Sequence, residues 1–253
     1  MNDRMNSIAI IPARYSSSRF PGKPLADLGG KAVVQHVWER VKSCTDITKV
    51  IVATDDERIY KAASAFGAEV ILTSDLHESG TNRCGEVMMI LEEKFDLVIN
   101  VQGDEPFIEP TVISNIIELA SNQHADIFTM ARAIKNNDEI FDSNIVKVVC
   151  DEQDRALYFS RSPIPFLRDV PHKEWSAHHT FLAHAGIYAY KSSVLRTIVS
   201  LAPSSLEIAE KLEQLRWLED GFTIKVGLTD YAGSGIDTPA DLEQARKLLP
   251  QKI

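Results

Sequence analysis

The sequence predicts an α/β fold with a mostly parallel sheet flanked by helices, and two observations predict it. Strand-like runs alternate with helix-like stretches of about 10–15 residues through the first half of the chain, the pattern of successive βαβ units. The first run, the Ile-rich segment 7–11, has the character of a buried strand and breaks at Pro12 into a cationic loop. In an open parallel sheet, such a loop lies where ligands bind, at the carboxyl ends of the strands. A chain of 253 residues can bury a full core, and its organisation is read as a single domain, 1–253, with an inserted arm at about 130–190.

The elements follow in order. After strand 7–11, the loop 12–24 carries Arg14, Arg19 and Lys23 among small and turn-forming residues. Residues 33–44 have the spacing of an amphipathic helix, and 49–54 form a β-branched strand ending in Asp55 and Asp56. A helix is expected over 56–66, stopped by Gly67 as a C-cap. A short strand at 69–72, a helix at 82–93 and a strand at 96–101 come next, and Pro110 suits the start of a helix continuing through 111–121. The second half is less regular. Strands are expected at 126–133, 146–150 and 156–160, then a turn-rich excursion at 162–169 and a polar stretch at 171–180. A strand at 184–190 is followed by a helix at 206–218, with Ile208, Leu212 and Leu215 on one face. A last strand at 223–228 precedes a helix from about Pro239, with Thr238 as its cap. There is no internal repeat and no low-complexity linker.

Charge and cysteine usage narrow the function. Lys plus Arg number 27 against 36 Asp plus Glu, a net charge of −9. That balance argues against a general nucleic-acid or membrane-surface binder, which needs a basic face, so any positive field is local. Cys44, Cys84 and Cys150 are odd in number, far apart and without a C-x-x-C pair, which fits a reducing cytoplasm better than a disulfide framework or structural zinc. No apolar run approaches the roughly 20 residues of a membrane span. The N-terminus lacks a signal peptide's apolar core and cleavage site. A cytoplasmic, soluble protein is expected.

Common nucleotide signatures are missing. Gly22-Lys23 is followed by Pro24, and Ser17 stands where a P-loop needs its first glycine. Gly233-Ser234-Gly235 lacks the third glycine and the early position of a dinucleotide fingerprint. There is no G-x-S-x-G elbow, and His178, His179 and His184 do not have zinc-ligand spacing. What remains is a set of turns, each with two readings. The cationic loop is either a phosphate site or a solvated basic loop. In 100–106, Asn-Val-Gln-Gly-Asp-Glu-Pro, Gly103 lets the backbone pass close to a ligand and Asp104 suits Mg²⁺, but an ordinary acidic turn also fits. Asp237 is either a neighbour of the capping Thr238 or a second carboxylate completing a metal site with Asp104. Segment 79–83 offers an anion or base-edge site at a helix start, or a plain N-cap by Ser79 or Thr81. Arg161, at a strand end, is a fork for a substrate carboxylate or a surface bridge.

Taken together and in order, these stretches resemble the 3-deoxy-manno-octulosonate cytidylyltransferase (CMP-Kdo synthetase) family. The resemblance is carried by 10–25 (Ile-Ile-Pro-Ala-Arg-Tyr through Arg19-Phe-Pro-Gly-Lys-Pro-Leu), Val52-Ala-Thr-Asp55, Ser79-Gly-Thr-x-Arg83, the 100–106 run, Ala156-Leu-Tyr-Phe-Ser-Arg161, Gly186-Ile-Tyr188, Leu212-Glu-Gln-Leu-Arg216 and Ile236-Asp-Thr-Pro-x-Asp-Leu242, and spans about 7 to 248. It implies a nucleotidyltransferase-type, Rossmann-like sheet with a smaller dimerisation and substrate arm. It also implies transfer of CMP from CTP to 3-deoxy-D-manno-octulosonate (Kdo) with release of pyrophosphate, for lipopolysaccharide biosynthesis, with Mg²⁺ as cofactor and a homodimer as assembly. By the same resemblance Arg14, Lys23, Asp104 and Asp237 are catalytic, and Asp104 and Asp237 hold the metal. Ala13, Arg14, Arg19, Lys23, Ser79, Arg83 and Asp104 bind the nucleotide. Gln102, Arg161, His184, Tyr188, Glu213 and Gln214 bind Kdo, Arg161 at its carboxylate. Asn82 and Phe166 stand where the family pattern has Glu and Trp, which bears on fine substrate contacts. Two alternatives stay open: a nucleotidyltransferase for another 2-keto acid sugar, and a non-catalytic nucleotide-binding protein on the same fold.

Overall fold

A computed structural model of the protein describes residues 5–17, 19–233 and 235–249. They form two compact units, one from 1–117 with 233–253 and the other from 118–232.

The first unit begins with β1 (Ser7–Pro12), a ribbon of β2 (Asp27–Leu28) and β3 (Lys31–Ala32), α1 (Val33–Lys42) and β4 (Lys49–Thr54). It continues with α2 (Glu57–Ala65), β5 (Glu69–Leu72), α3 (Gly80–Ile90) and β6 (Leu97–Asn100), and α4 (Pro110–Asn122) follows. Its sheet runs β6-β1-β4-β5, every pair parallel, with Ile8 opposite both Lys49 and Val98. Ile8, Ala9, Ile10 and Ile11 are all fully buried, as expected of a parallel strand covered on both faces. On α1, Val33, Val34, Val37 and Val41 make the buried stripe of an amphipathic helix. The Asp56 side chain caps α2 by accepting from Arg58 N, and Gly67, at φ +88°, closes that helix as expected.

The second unit contains β7 (Ile127–Ala133), α5 (Asn137–Phe141), β8 (Lys147–Cys150), β9 (Ala156–Ser160), α6 (Trp175–His178) and β10 (Leu182–Lys191). After them come α7 (Ser192–Ile198), α8 (Ser205–Glu210), α9 (Gln214–Glu219) and β11 (Ile224–Leu228). Here the pairing is mixed: β11 is parallel to β7, while β10 is antiparallel to β7 and β8, and β9 is antiparallel to β8. The chain then returns to the first unit with α10 (Pro239–Leu248). Thr238 and Asp241 form its capping box, and Leu242 and Ala245 pack against Leu28, Val33 and Ile236.

The expected helix over 206–218 is in fact two helices. Lys211 adopts φ +55°, which breaks the backbone between α8 and α9 and leaves Ile208 exposed rather than on a shared apolar face. Helix α3 lies two to three residues upstream of its expected span because Ser79 caps it. The polar stretch 171–180 holds α6, anchored by the buried Trp175. Among the described residues, no helix is long and apolar enough to cross a membrane.

Candidate active site

The order β6-β1-β4-β5 creates a switch point. From β1 the chain moves outward to β4 and β5, then jumps back to place β6 on the other side of β1. Loops leaving β1 and β6 therefore diverge, opening a crevice at the carboxyl ends of those strands. Val101 N donates to Ile10 O at 3.0 Å, continuing the ladder to the last residue before the turn. Gly103 then lies against the end of β1: a Cβ there would sit 2.6 Å from the Pro12 carbonyl oxygen. Only glycine fits this approach. A cavity of about 440 Å³ opens at this point, and Ala13, Arg14, Arg19, Lys23, Ser79 and Arg83 line it together with Gln102, Asp104 and Asp237. The structure thus brings the expected nucleotide and metal residues, and Gln102, to one place.

Lys23 is the centre of this cavity. Gly22, at φ +74°, turns the loop back on itself so that its N–H reaches Tyr15 O at 2.9 Å. The Tyr15 ring is covered by the Arg58 guanidinium, 3.3 Å from the centroid, and Arg58 is itself forked onto Asp56. The loop's base is therefore pinned and Lys23 points inward. Its Nζ donates to Asp104 Oδ2 in a short contact and to Asp237 Oδ1 at 3.0 Å. Arg19 reaches the other oxygen of Asp237 at 3.0 Å. Burial alone would lower the Lys23 pKa, but the two carboxylates outweigh it and raise it overall. Ile236 N donates to Asp104 O at 2.9 Å, which ties the Asp237 loop to the end of β6. Asp237 is thus both a neighbour of the helix cap and a partner of Asp104 across one cation.

The donor set fits a magnesium ion. Two carboxylates converge on a single positive centre, and Mg²⁺ is usually held by one or two carboxylates with the remaining positions taken by phosphate oxygens and water. Among the described residues there is no group of three or more His, Cys, Asp or Glu suited to a metal. Such an ion would draw on Asp104 and Asp237 alone among these carboxylates, with its other positions left to substrate and water.

The opposite wall is the segment leading into α3. Ser79 Oγ accepts from Asn82 N at 3.1 Å, the N-cap reading, while the same residue lines the cavity. The exposed Arg14 donates to Glu78 O at 3.3 Å. Arg83 is 2% exposed, and its guanidinium is engaged by Asp55 Oδ2 at 3.0 Å, by Ser74 O at 3.3 Å and by a short contact to Thr73 Oγ1. It braces the wall from behind. His77, which sequence reasoning passed over, lines the cavity and makes a short contact with Glu86, whose same oxygen accepts from Ser74 N at 2.8 Å. No local motif marks His77 and Glu86, because their pairing spans a loop and a helix turn.

The remaining acceptor candidates lie in the second unit. Arg161 donates through Nε to Glu210 O at 2.8 Å and through NH1 to Ser143 O at 3.0 Å, and its backbone N–H is held by the Glu210 carboxylate at 3.0 Å. Glu210, which carried no signal of its own, also accepts from Ser160 Oγ at 2.6 Å. His184 packs against Tyr188 with ring centroids 5.1 Å apart, and Tyr188 packs edge-on to Trp217 at 5.1 Å. Burial lowers the His184 pKa to about 4 and raises the Tyr188 phenol well above its usual value, Tyr190 and Glu213 adding to the latter. Glu213 accepts from Arg216 at 2.7 Å, and Gln214 is buried at the start of α9.

The chain is similar to known cytidylyltransferases. The cytidylyltransferase family model matches residues 8–225. The 3-deoxy-manno-octulosonate cytidylyltransferase of Parabacteroides distasonis is 48% identical over 252 residues, covering 98% of this chain and 100% of the relative. That of Thermodesulfovibrio yellowstonii is 50% identical, covering 97% and 98%. A solved CMP:2-keto-3-deoxy-manno-octonic acid synthetase complexed with CTP superposes with a TM-score of 0.88 at 42% identity, covering 96% of this chain and 98% of that one. A 4-diphosphocytidyl-2C-methyl-D-erythritol synthase from Anaerococcus prevotii, at 15% identity and a TM-score of 0.63, shares the fold alone.

Proposed function

The chain belongs to the 3-deoxy-manno-octulosonate cytidylyltransferase family, and from that premise we propose how its crevice works. It is a nucleotidyltransferase that moves the CMP moiety of CTP to Kdo, giving CMP-Kdo and pyrophosphate for lipopolysaccharide biosynthesis. The observation that carries the site assignment is the convergence of Arg14, Arg19 and Lys23 with Asp104 and Asp237 at the switch point between β1 and β6.

In the reaction the anomeric hydroxyl of Kdo attacks the α-phosphorus in line. A P–O bond forms to the sugar oxygen, the bond to the β-phosphate oxygen breaks so that pyrophosphate leaves, and the hydroxyl proton passes to solvent water. The protein's task is positioning and charge neutralisation. Arg14, exposed and held among the described residues only by a long contact to Glu78 O, is free to fold onto the triphosphate together with Lys23 and Arg19, which line the same cavity. Ala13 N is committed to Ala53 O at 2.8 Å, so its carbonyl is the backbone group for the cytosine amino donor, with Ser79 across the cleft. Arg83 serves the nucleotide by holding that wall. Asp104 and Asp237 would hold Mg²⁺, which supplies neutralisation of the phosphate oxygens and a lowered hydroxyl pKa when bound. Gln102, Arg161, His184, Tyr188, Glu213 and Gln214 take Kdo. Arg161 suits the carboxylate because its NH2 group is not used by the Glu210 and Ser143 carbonyls that orient it. The homodimer follows from the family resemblance. The reducing cytoplasm is supported by three free cysteines.

Purified protein given CTP, Kdo and Mg²⁺ is expected to release pyrophosphate. Asp104→Asn and Asp237→Asn are expected to keep the fold by circular dichroism and lose about 10²–10³-fold in rate. Near-normal turnover in both would remove them from the metal site.

A further inference from the structure

We propose that Thr129 is a positioning residue that locks His184 in its Nε2–H tautomer, leaving Nδ1 as an unprotonated acceptor for a hydroxyl of the polyhydroxy-acid substrate. The acceptor half of this inference rests on the placement of His184 at the Kdo side. The tautomer half stands on hydrogen bonding alone.

The backbone of β10 is irregular between His184 and Tyr188. His184 lies opposite Ala131 and Tyr188 opposite Thr129, so four steps along β10 match two along β7. Two extra residues are accommodated as a bulge, and Gly186, at φ +71°, supplies the left-handed backbone it needs. The bulge turns the Ile187 carbonyl onto Thr129, whose Oγ1 lies 2.6 Å from Ile187 O. A carbonyl cannot donate, so the single hydroxyl proton of Thr129 belongs to this bond. Thr129 Oγ1 also lies 2.9 Å from His184 Nε2. With its proton spent, the hydroxyl only accepts there, and Nε2 must carry the hydrogen. A neutral imidazole has one N–H, which leaves Nδ1 bare. Burial keeps the ring neutral, its pKa lowered to about 4.

Nδ1 makes no hydrogen bond among the described residues, although the ring is fixed by Phe159 edge-on at 5.2 Å and by Tyr188. The neighbouring Tyr188 hydroxyl is buried and likewise has no hydrogen-bond partner among them. A buried hydroxyl without a partner, beside a half-buried ring nitrogen free to accept, suits a polar ligand. A sugar acid offers hydroxyls that donate to Nδ1 and accept from Tyr188.

The test combines spectroscopy with kinetics. In protein labelled with ¹⁵N-histidine, long-range ¹H–¹⁵N correlation is expected to show His184, assigned by the loss of its signals in His184→Phe, with the proton on Nε2. Thr129→Val is expected to give mixed tautomers and to raise KM for Kdo about tenfold, the worth of one hydrogen bond, with KM for CTP unchanged. Thr129→Ser is expected to restore both readouts. A proton on Nδ1 in the wild type, or a Thr129→Val protein with the wild-type tautomer and KM, overturns the lock. If instead Thr129→Val mixes the tautomers and His184→Phe binds Kdo normally, the lock stands and the placement of His184 at the acceptor is what fails.

Discussion

His184 is neutral in the fold because burial lowers its pKa to about 4 from an ordinary 6.5. The unfolded chain then binds the proton more readily than the native one. This contribution to stability is complete above pH 6.5 and is lost as the pH falls from 6.5 towards 4. Urea midpoints followed across that window are expected to decline with falling pH, and His184→Phe is expected to flatten the decline. An equal slope in the variant would assign the loss to other groups. At this scale the sequence was most legible where charge sits in turn-forming context: Arg14, Lys23, Asp104 and Asp237 stand out beside Gly and Pro, and the structure gathers them. It was least legible where a side chain's partners are distant or are backbone. The Arg83 ion pair is with Asp55, 28 positions away. Lys147 is fully buried in a strand and donates to the carbonyls of Asp142, Ile145 and Arg161 at 2.9, 2.6 and 2.6 Å. Such acceptors leave no trace in residue type.

Among elements, the end of β6 lies close against the end of β1. Because a methyl group at Gly103 would meet the Pro12 carbonyl, Gly103→Ala must part the carboxyl ends of β1 and β6. Overpacking of this kind costs about 1–3 kcal/mol. The variant is expected to melt at a lower temperature and to bind CTP more weakly by calorimetry; normal binding would show that the crevice tolerates the shift. The junction of α8 and α9 offers the opposite case. Lys211 holds a left-handed backbone that costs a non-glycine residue about 1 kcal/mol. Lys211→Gly is expected to leave stability unchanged or raise it by up to that amount, read from the urea midpoint, whereas a clear loss would mean that the lysine side chain contributes there. The same residue explains why one helix was expected over 206–218. The apolar spacing was sound, but nothing about a lysine announces a chain break. The first unit was legible because every βαβ step repeats one pattern with strong caps at Asp56, Ser79 and Thr238. The second unit mixes parallel and antiparallel pairing and uses short helices such as α5, α6 and α7, whose formation depends on tertiary packing rather than on periodicity.

For the whole molecule, the net charge of −9 contrasts with the four cations, Arg14, Arg19, Lys23 and Arg83, that line the cavity. The attraction for a triphosphate is therefore local and short in range, within an overall field that repels it. Screening shortens from about 10 Å at 0.1 M salt to about 3 Å at 1 M. KM for CTP is expected to rise with potassium chloride, while Arg14→Gln, with one cation fewer, shows a shallower rise. Equal slopes would place Arg14 outside the electrostatic contact. The unit built from 1–117 and 233–253 carries a further consequence, for the order in which its parts exist. Translation delivers Lys23 and Asp104 early, but Asp237 and the α10 residues that cover Leu28 and Val33 only after the whole second unit has left the ribosome. A nascent chain therefore carries an uncapped apolar face and half of its carboxylate pair until that final segment folds back, so nucleotide binding can mature only once it has been made.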